Sequence, residues 1–307
     1  MEFGSAVLPW AHANIMPLGD IQYNGPDGPC DLARLRRTIK IATEKNCYFV
    51  LMGDYIDFLS PSNRVKLQMA GLYDVSVDVI DNAATILENE LFRELAPLKG
   101  RVLGVVEGHH YYTHLDGSTT GTRLTHFLND VENPAVTCLY GGDAFMYRIN
   151  FHAERGKKGR AGVITKIFVS HGAGGGSTIS AGLPKLERFM AYTAAQVVFV
   201  GHNHKTTFNQ LPAMDMTGAG KPRMKAWNRA LVQTGSFLKG WQEGSEVGGR
   251  PQGGYVERAL MPPVALGTQI VTLEPHRTDE RHSERGQKGR GTMYEVLVYN
   301  QTLRNVS

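Results

Sequence analysis

The chain has 307 residues, a length that suits one large domain or two small ones, and its 42% hydrophobic and 20% charged residues are typical of a soluble globular protein. The 33 basic and 29 acidic residues leave a formal charge of +4, which tolerates anionic substrates but does not by itself indicate a nucleic-acid-binding protein. The sequence lacks the run of about 18 apolar residues that predicts a membrane span, and its first residues do not resemble a secretory signal.

The cysteines indicate a reducing environment. Cys30, Cys47 and Cys138 are odd in number, and none of them forms a CxxC pair. We therefore predict free thiols and a cytoplasmic location. Residues 2–5 are compatible with a cloning scar.

Two helices and several buried strands follow from the pattern of apolar residues. Amphipathic spacing predicts a helix over Leu32–Glu44, and a second helix is expected over Val75–Leu98, ending near Pro97. Short, continuous apolar runs are typical of strands that are buried on both faces. They predict strands at residues 47–52, 101–106, 163–170 and 197–200.

The remainder of the chain is less regular. Further strands are predicted at residues 230–234, 268–273 and 293–299. The charged, glycine-rich stretch 276–291 is interpreted as a solvated hairpin loop, with a phosphate- or nucleic-acid-binding arm as the alternative. We expect one domain over residues 1–307, with its functional motifs in 15–210 and C-terminal strands and a charged hairpin in 211–307.

Asp and His residues follow the predicted buried strands. In an α/β sheet, ligands bind beyond the carboxyl ends of the strands, so these side chains are expected to converge there. Carboxylate oxygens combined with imidazole nitrogens suit Mn, Fe, Zn or Co better than Mg or Ca. Two ions about 3.5 Å apart that share a carboxylate would use so many ligands economically. The candidates are Asp20, Gln22, Asp54, Asp57, His109, His110, His171, His202 and His204.

The order and spacing of these residues resemble the calcineurin-like metallophosphoesterases. That family carries DxH, GDxxD, GNH, a lone His and GHxH, and this sequence has the corresponding segments Asp20-Ile21-Gln22, Gly53–Asp57, Gly108–His110, His171 and Gly201–His204. The resemblance covers about residues 15–210. It implies an α/β fold, a four-layer αββα sandwich, with two metal ions at one edge.

The resemblance also implies a role for each motif residue. Asp20, Gln22 and His204 would hold the first metal, His109, His171 and His202 the second, and Asp54 would bridge both. His110 would be the general acid, oriented by Asp57, while a hydroxide between the two ions attacks phosphorus. The expected cofactors are two divalent transition-metal ions, with Mn favoured over Fe, Zn, Co or Ni.

Two motif positions depart from the family pattern. Gln22 replaces the usual His, and its neutral amide oxygen favours Mn²⁺ and weakens the first site. His109 replaces the usual Asn, and the alternative assignment makes His109 the acid and His110 a neighbour. The string Asp20-Ile21-Gln22-Tyr23 also resembles the manganese-dependent ADP-ribose/CDP-alcohol diphosphatases.

The expected activity is a metal-dependent phosphodiesterase acting on a small phosphodiester or nucleotide-like substrate. Protein phosphatases of the family have an arginine after GDxxD, where this chain has Phe58. Phe58, Tyr111 and Tyr112 are candidate substrate-binding residues. The alternatives are a nuclease, a nucleotide diphosphatase and a non-catalytic scaffold on the same fold.

Overall fold

The computed structural model describes residues 1–59, 61–152, 162–174, 183–217, 223–241, 265–281 and 290–301, together with short pieces between 246 and 263. The basic segment 155–160 and residues 282–289 of the charged stretch lie outside this part of the chain. The described residues of that stretch, 276–281 and 290–291, belong to two long antiparallel strands.

The strands are β1 Glu2–Pro9, β2 Ala13–Leu18, β3 Tyr48–Leu51, β4 Val102–Val105, β5 Leu139–Tyr140, β6 Ala144–His152, β7 Val163–Ser170, β8 Val197–Val200, β9 Thr207–Thr217, β10 Arg223–Gln233, β11 Glu246–Val247, β12 Arg250–Pro251, β13 Ile270–Arg281 and β14 Arg290–Gln301. The helices are α1 Leu32–Glu44, α2 Pro61–Met69, α3 Asp74–Leu95, α4 Thr120–Asn129, α5 Leu183–Met190 and α6 Tyr255–Arg258, and a 3₁₀ turn at Ala96–Leu98 follows α3.

Twelve of these strands form two six-stranded sheets. The first sheet has the order β1-β6-β7-β8-β10-β9 and the second the order β14-β13-β2-β3-β4-β5. The central strands β2, β3 and β4 are mutually parallel, and so are β7 and β8. Their carboxyl ends therefore present loops at one edge of each sheet, where side chains from distant motifs can meet.

Alternating side chains on the central strands explain the continuous apolar runs. Along β3, Val50 packs into the core between the two sheets, whereas Phe49 and Leu51 pack against helices on the outer face. The outer face of the first sheet packs against α5. The layers are thus helix, sheet, sheet and helix, which confirms the predicted α/β four-layer sandwich.

The helix prediction over Leu32–Glu44 matches α1 because its apolar positions face the core: Leu35, Ile39 and Ala42 are buried. Asp31 caps the helix by accepting a hydrogen bond from the backbone N–H of Arg34 at 3.0 Å. The second predicted helix corresponds to α3. It begins one residue earlier than predicted, at Asp74, and ends at Leu95, before Pro97.

The N-terminal residues are part of a sheet. Residues 2–5 lie in β1, which pairs in parallel with β6. Near the other end of the described chain, β13 pairs with β2 in the second sheet. The first sheet therefore includes a strand from the start of the chain, and the second includes strands from near its end. Among the described helices, none combines the length and apolar character that crossing a bilayer requires.

Candidate metal centre

All nine predicted site residues lie in loops that follow parallel strands. Those after β2, β3 and β4 belong to the second sheet, and those after β7 and β8 belong to the first, so the site spans the adjacent edges of the two sheets. The loops contribute Asp20 and Gln22, Asp54 and Asp57, His109 and His110, His171, and His202 and His204.

Four of these side chains bring metal-binding atoms together. One ligand atom from each of Asp54, His109, His171 and His202 lies within 4.8 Å of the others. The Nδ1 atoms of His109 and His202 are 3.1 Å apart, and His171 Nε2 is 3.3 Å from Asp54 Oδ2. This three-imidazole, one-carboxylate set has the donor types that hold a divalent transition metal.

A second group joins Asp20, Gln22 and His204. His204 Nε2 is 3.3 Å from Asp20 Oδ1, and Gln22 Nε2 is 3.4 Å from His204 Nε2. A half-turn of the Gln22 amide exchanges its nitrogen and oxygen, so the side chain can also present an oxygen ligand. The structure thus gathers the seven predicted metal ligands into two groups.

Unsatisfied buried atoms test whether metals fit this centre. Asp20 Oδ1 and His171 Nε2 are both buried and lack a hydrogen-bond partner, an expensive arrangement unless something else contacts them. His171 Nδ1 donates to the carbonyl of Met52 at 2.6 Å, which leaves Nε2 as the coordinating nitrogen. The residues therefore fit bound divalent metal ions.

Strained backbone marks the same residues. Left-handed backbone costs a non-glycine residue about 1–2 kcal/mol and is found where the surrounding structure enforces it, often at functional sites. The φ angle is 48° at Asp20, 49° at Gln22, 50° at Asp54, 68° at His202 and 52° at His204. These strained residues are five of the seven predicted metal ligands.

A glycine allows Asp54 to approach the next loop. A Cβ on Gly108 would lie 1.9 Å from Asp54 Oδ1, so no other residue fits there. Asp54 Oδ1 accepts hydrogen bonds from the backbone N–H groups of His109 and His110. These bonds fix the loop that carries both histidines against the carboxylate.

Burial and charge shift the pKa values of the histidines in opposite directions. Burial, the His171 charge and the His109 charge lower the pKa of His202 to about 4. Burial alone would also lower the His171 pKa, but the adjacent Asp54 carboxylate and the nearby Asp20 charge raise that pKa to about 9. A bound cation would take the place of the His171 proton, since an imidazole must be neutral to coordinate a metal.

His110 and Asp57 form a separate pair beside the ligands. His110 Nδ1 is 2.8 Å from Asp57 Oδ1, and this hydrogen bond outweighs burial and raises the pKa of His110. His110 therefore stays protonated at higher pH than an ordinary histidine. A held, protonated imidazole can donate a proton near neutral pH.

The three predicted substrate residues lie beside this pair. Tyr112 is only 6% exposed, and Phe58 meets it edge-on with ring centroids 5.5 Å apart. The guanidinium of Arg64 lies over the ring of Tyr111, with Cζ 4.1 Å from the ring centroid. Substrate binding by these residues remains a prediction.

Arg64 is a residue that the sequence analysis missed. Its Nη1 donates to the carbonyls of Leu59, His109 and Tyr111 at 3.1, 2.7 and 3.0 Å. It lies in α2, and the proline at the first position of that helix was an available helix-start signal. Nothing in the local sequence showed that this arginine reaches the His109 loop.

Comparisons with known proteins agree with the motif reading. The sequence model of the calcineurin-like phosphoesterase family matches residues 13–206. No curated protein matches the chain.

Three solved structures show similarity at low identity. GAP50, the anchor in the inner membrane complex of Plasmodium, is 10% identical, with 92% of this chain and 88% of that chain covered and a TM-score of 0.44. A predicted phosphoesterase from Streptococcus pneumoniae is 12% identical (94% and 99% covered, TM-score 0.29). Zinc-complexed Vps29 from Entamoeba histolytica is 10% identical (93% and 98% covered, TM-score 0.32).

Proposed function

Because the chain belongs to the calcineurin-like phosphoesterase family, we propose that it is a metal-dependent phosphodiesterase. The observation that carries this proposal is the cluster of Asp54, His109, His171 and His202 beside the His110–Asp57 pair. It combines a place for divalent cations with a proton donor, and both accelerate the hydrolysis of a phosphoester with a poor leaving group.

The proposed metal assignment follows the two groups of side chains. His109, His171 and His202 would hold one ion, Asp20, Gln22 and His204 would hold the other, and Asp54 would serve both. Manganese is the favoured metal because Gln22 supplies a neutral oxygen where an imidazole is usual. When bound, such ions lower the pKa of water and neutralise charge on phosphate oxygens.

The chain's own residues orient the substrate and move the proton. His110 Nε2 donates a proton to the departing oxygen, while Asp57 holds Nδ1 and keeps the ring in place. Asp54, through the backbone N–H groups of residues 109 and 110, keeps that ring next to the metal ligands. Proton donation of this kind contributes roughly 10²–10⁴-fold to rate, most for poor leaving groups.

A diester is the proposed substrate because the described site offers no free arginine at the motif positions. A monoester dianion carries an additional charged oxygen, which arginine clamps well. Phe58 follows Asp57 and Tyr111 follows His110 in the sequence. Arg64 is nearby, but its Nη1 is directed to three backbone carbonyls.

We also propose a reducing, cytoplasmic location. Cys30, Cys47 and Cys138 are all buried free thiols, and burial raises the pKa of Cys30 and of Cys138 to about 12. Such thiols are unreactive packing residues of a kind common in reducing compartments.

Metal content and substrate range together test the proposal. Apoprotein is supplied singly with Mn²⁺, Co²⁺, Ni²⁺, Zn²⁺ and Mg²⁺ and screened on phosphodiesters, monoesters, diphosphates and oligonucleotides. We expect hydrolysis of small diesters that requires a transition metal, with two ions per chain by elemental analysis. A metal-free active protein, or a metal-loaded protein inert on every ester, would refute the assignment.

A further inference from the structure

A cavity of about 400 Å³ opens directly beside the metal cluster. His109 and His171 line both the cluster and this cavity, so the two are continuous. The cavity is large enough to enclose a ring-sized group on a ligand whose phosphate lies at the cluster.

The walls of the cavity are apolar and partly aromatic. Phe168 on β7 and Phe189 on α5 lie with ring centroids 4.8 Å apart and their planes tilted by 45°. Leu186 and Val200 complete this side. Apolar walls of this kind bind a planar ring by burying its faces, and aromatic neighbours add a directional contact.

Polar groups lie elsewhere around the cavity. Ser170, Asn203, Glu107 and Asp143 line it, and Lys185 Nζ lies 3.4 Å from the Ala173 carbonyl. These groups carry both signs of charge, whereas the apolar side formed by β7 and α5 disfavours a charged substituent. A phosphodiester with one aromatic substituent matches this distribution.

His109 and His171 of the metal cluster line the cavity, whereas His110, Asp57 and Arg64 do not. In an in-line displacement the leaving group departs toward the proton donor, which is His110 in the proposed function. The substituent that remains on phosphorus therefore has the cavity available to it.

We propose that the cavity between β7 and α5 is a specificity pocket that binds a planar aromatic substituent of the phosphodiester, the one retained after cleavage. This inference rests on the proposed diesterase function and adds to it the substrate class.

Two substrates with the same leaving group isolate the pocket. Bis(4-nitrophenyl) phosphate retains an aryl group after cleavage, and methyl 4-nitrophenyl phosphate retains a methyl group. The aryl preference is kcat/KM for the aryl diester divided by kcat/KM for the methyl diester. Comparing this preference between a variant and the wild type cancels the difference in intrinsic reactivity of the two substrates.

Three variants are compared on these substrates. Phe189→Ala removes an aromatic wall, and Ala173→Trp places an indole at the exposed rim, so that one change enlarges the pocket and the other blocks it. Tyr192→Ala is the matched control, because Tyr192 is an 85% exposed aromatic outside the cavity lining. We expect the aryl preference to fall at least about tenfold in the first two variants and to stay unchanged in the third.

Binding to the manganese-loaded protein provides a readout that does not need turnover. Phenylphosphonate should bind at least about tenfold more tightly than methylphosphonate, and both pocket variants should lose that difference. If Phe189→Ala does not fold, Ala173→Trp at the exposed rim carries the test alone.

The two proposals fail in different ways. If the diesters are hydrolysed but the aryl preference is unchanged in both pocket variants, the pocket assignment is wrong while the diesterase function stands. If no ester is hydrolysed, the diesterase function is wrong, and equal binding of the two phosphonates would then overturn the pocket as well.

Discussion

His110 Nδ1 lies 2.8 Å from Asp57 Oδ1, although 53 residues separate them in the chain. The carboxylate binds Nδ1 of the imidazole, so Nε2 is the nitrogen that can donate a proton to a substrate. Because His109 and His110 are adjacent, this contact places a proton donor next to a metal-ligand candidate.

Replacing His110 with Ala should affect poor leaving groups most. An alkoxide needs a proton as it departs, whereas 4-nitrophenolate hardly does. We expect kcat/KM to fall by more than about 100-fold for a diester with an alkoxide leaving group and by less than about tenfold for bis(4-nitrophenyl) phosphate. Steady-state kinetics on both substrates check this.

His126→Ala is the matched control for that substitution, because His126 is exposed on α4 and has no part in the site. Equal losses on both substrates in His110→Ala would transfer the acid role to another group, with His109 the next candidate.

Asp54→Asn should remove most of the activity while preserving the fold. Asn keeps the shape and can still accept from the backbone N–H groups, but it lacks the charge that two cations would share. We expect kcat/KM to fall by more than about 100-fold and metal content to drop below two ions per chain. Asp130→Asn changes a side chain that is 86% exposed, and it should do neither.

Far-UV circular dichroism and elemental analysis accompany the kinetics of Asp54→Asn. A folded variant with full metal content and wild-type activity would exclude Asp54 as the shared ligand.

Diester hydrolysis should exceed monoester hydrolysis. We expect kcat/KM for bis(4-nitrophenyl) phosphate to exceed that for 4-nitrophenyl phosphate by about tenfold or more, equivalent to about 1.4 kcal/mol of transition-state discrimination. The physical reason is that the described motif positions lack an arginine for the additional phosphate oxygen. Both substrates are measured under one metal and one pH, and a monoester preference would show that an arginine reaches the site.

Arg64→Ala should lower kcat with little change in KM. The hydrogen bonds from the Arg64 side chain go to the backbone carbonyls of His109 and Tyr111, so Arg64 positions their loop without binding the His109 ring. We expect kcat to fall about tenfold, because small misplacements of catalytic groups are costly. Arg64→Lys should recover part of that loss, since its ammonium can still donate to carbonyls.

Lys66→Ala is the control for the arginine variants, because Lys66 is exposed on the same helix. A purely structural role for Arg64 would instead lower the melting temperature without a selective change in kcat, and Lys would give no recovery.

Gln22→His should change the metal preference of the site. Gln22 already has positive φ, as do His202 and His204, so the backbone there accepts a histidine in this conformation. Imidazole is a softer donor than an amide oxygen, so activity with Zn²⁺ or Co²⁺ should rise relative to Mn²⁺. Activity of the apoprotein reconstituted with each ion is the measurement, and an unchanged order of metals would remove Gln22 from the ligand set.

The sequence by itself determined the layout of the site along the chain. Buried parallel strands need continuous apolar runs, so the runs at residues 47–52 and 197–200 matched β3 and β8. Such strands also place the residues after them at one edge, and this is why motif spacing alone identified the family. Amphipathic spacing likewise sufficed for α1, because its burial follows the helical period.

Three of the elements that were not predicted have weak local signals. β5 has two residues, α2 has no buried stripe among its described side chains, and β1 is largely exposed along its length. Such segments take their structure from neighbours in space, as β1 does from β6.

Only the tertiary structure decided which groups touch. The contact between His109 and His202, the reach of Arg64 to the His109 loop and the packing of Phe168 against Phe189 beside the cavity all join residues from different elements. Their distances depend on how the two sheets stack and how α5 docks, and these are set by the packing of many side chains at once. Local periodicity determines on which face of a helix or strand a side chain lies. The side chain that it contacts on another element is determined only by the packing of the complete fold.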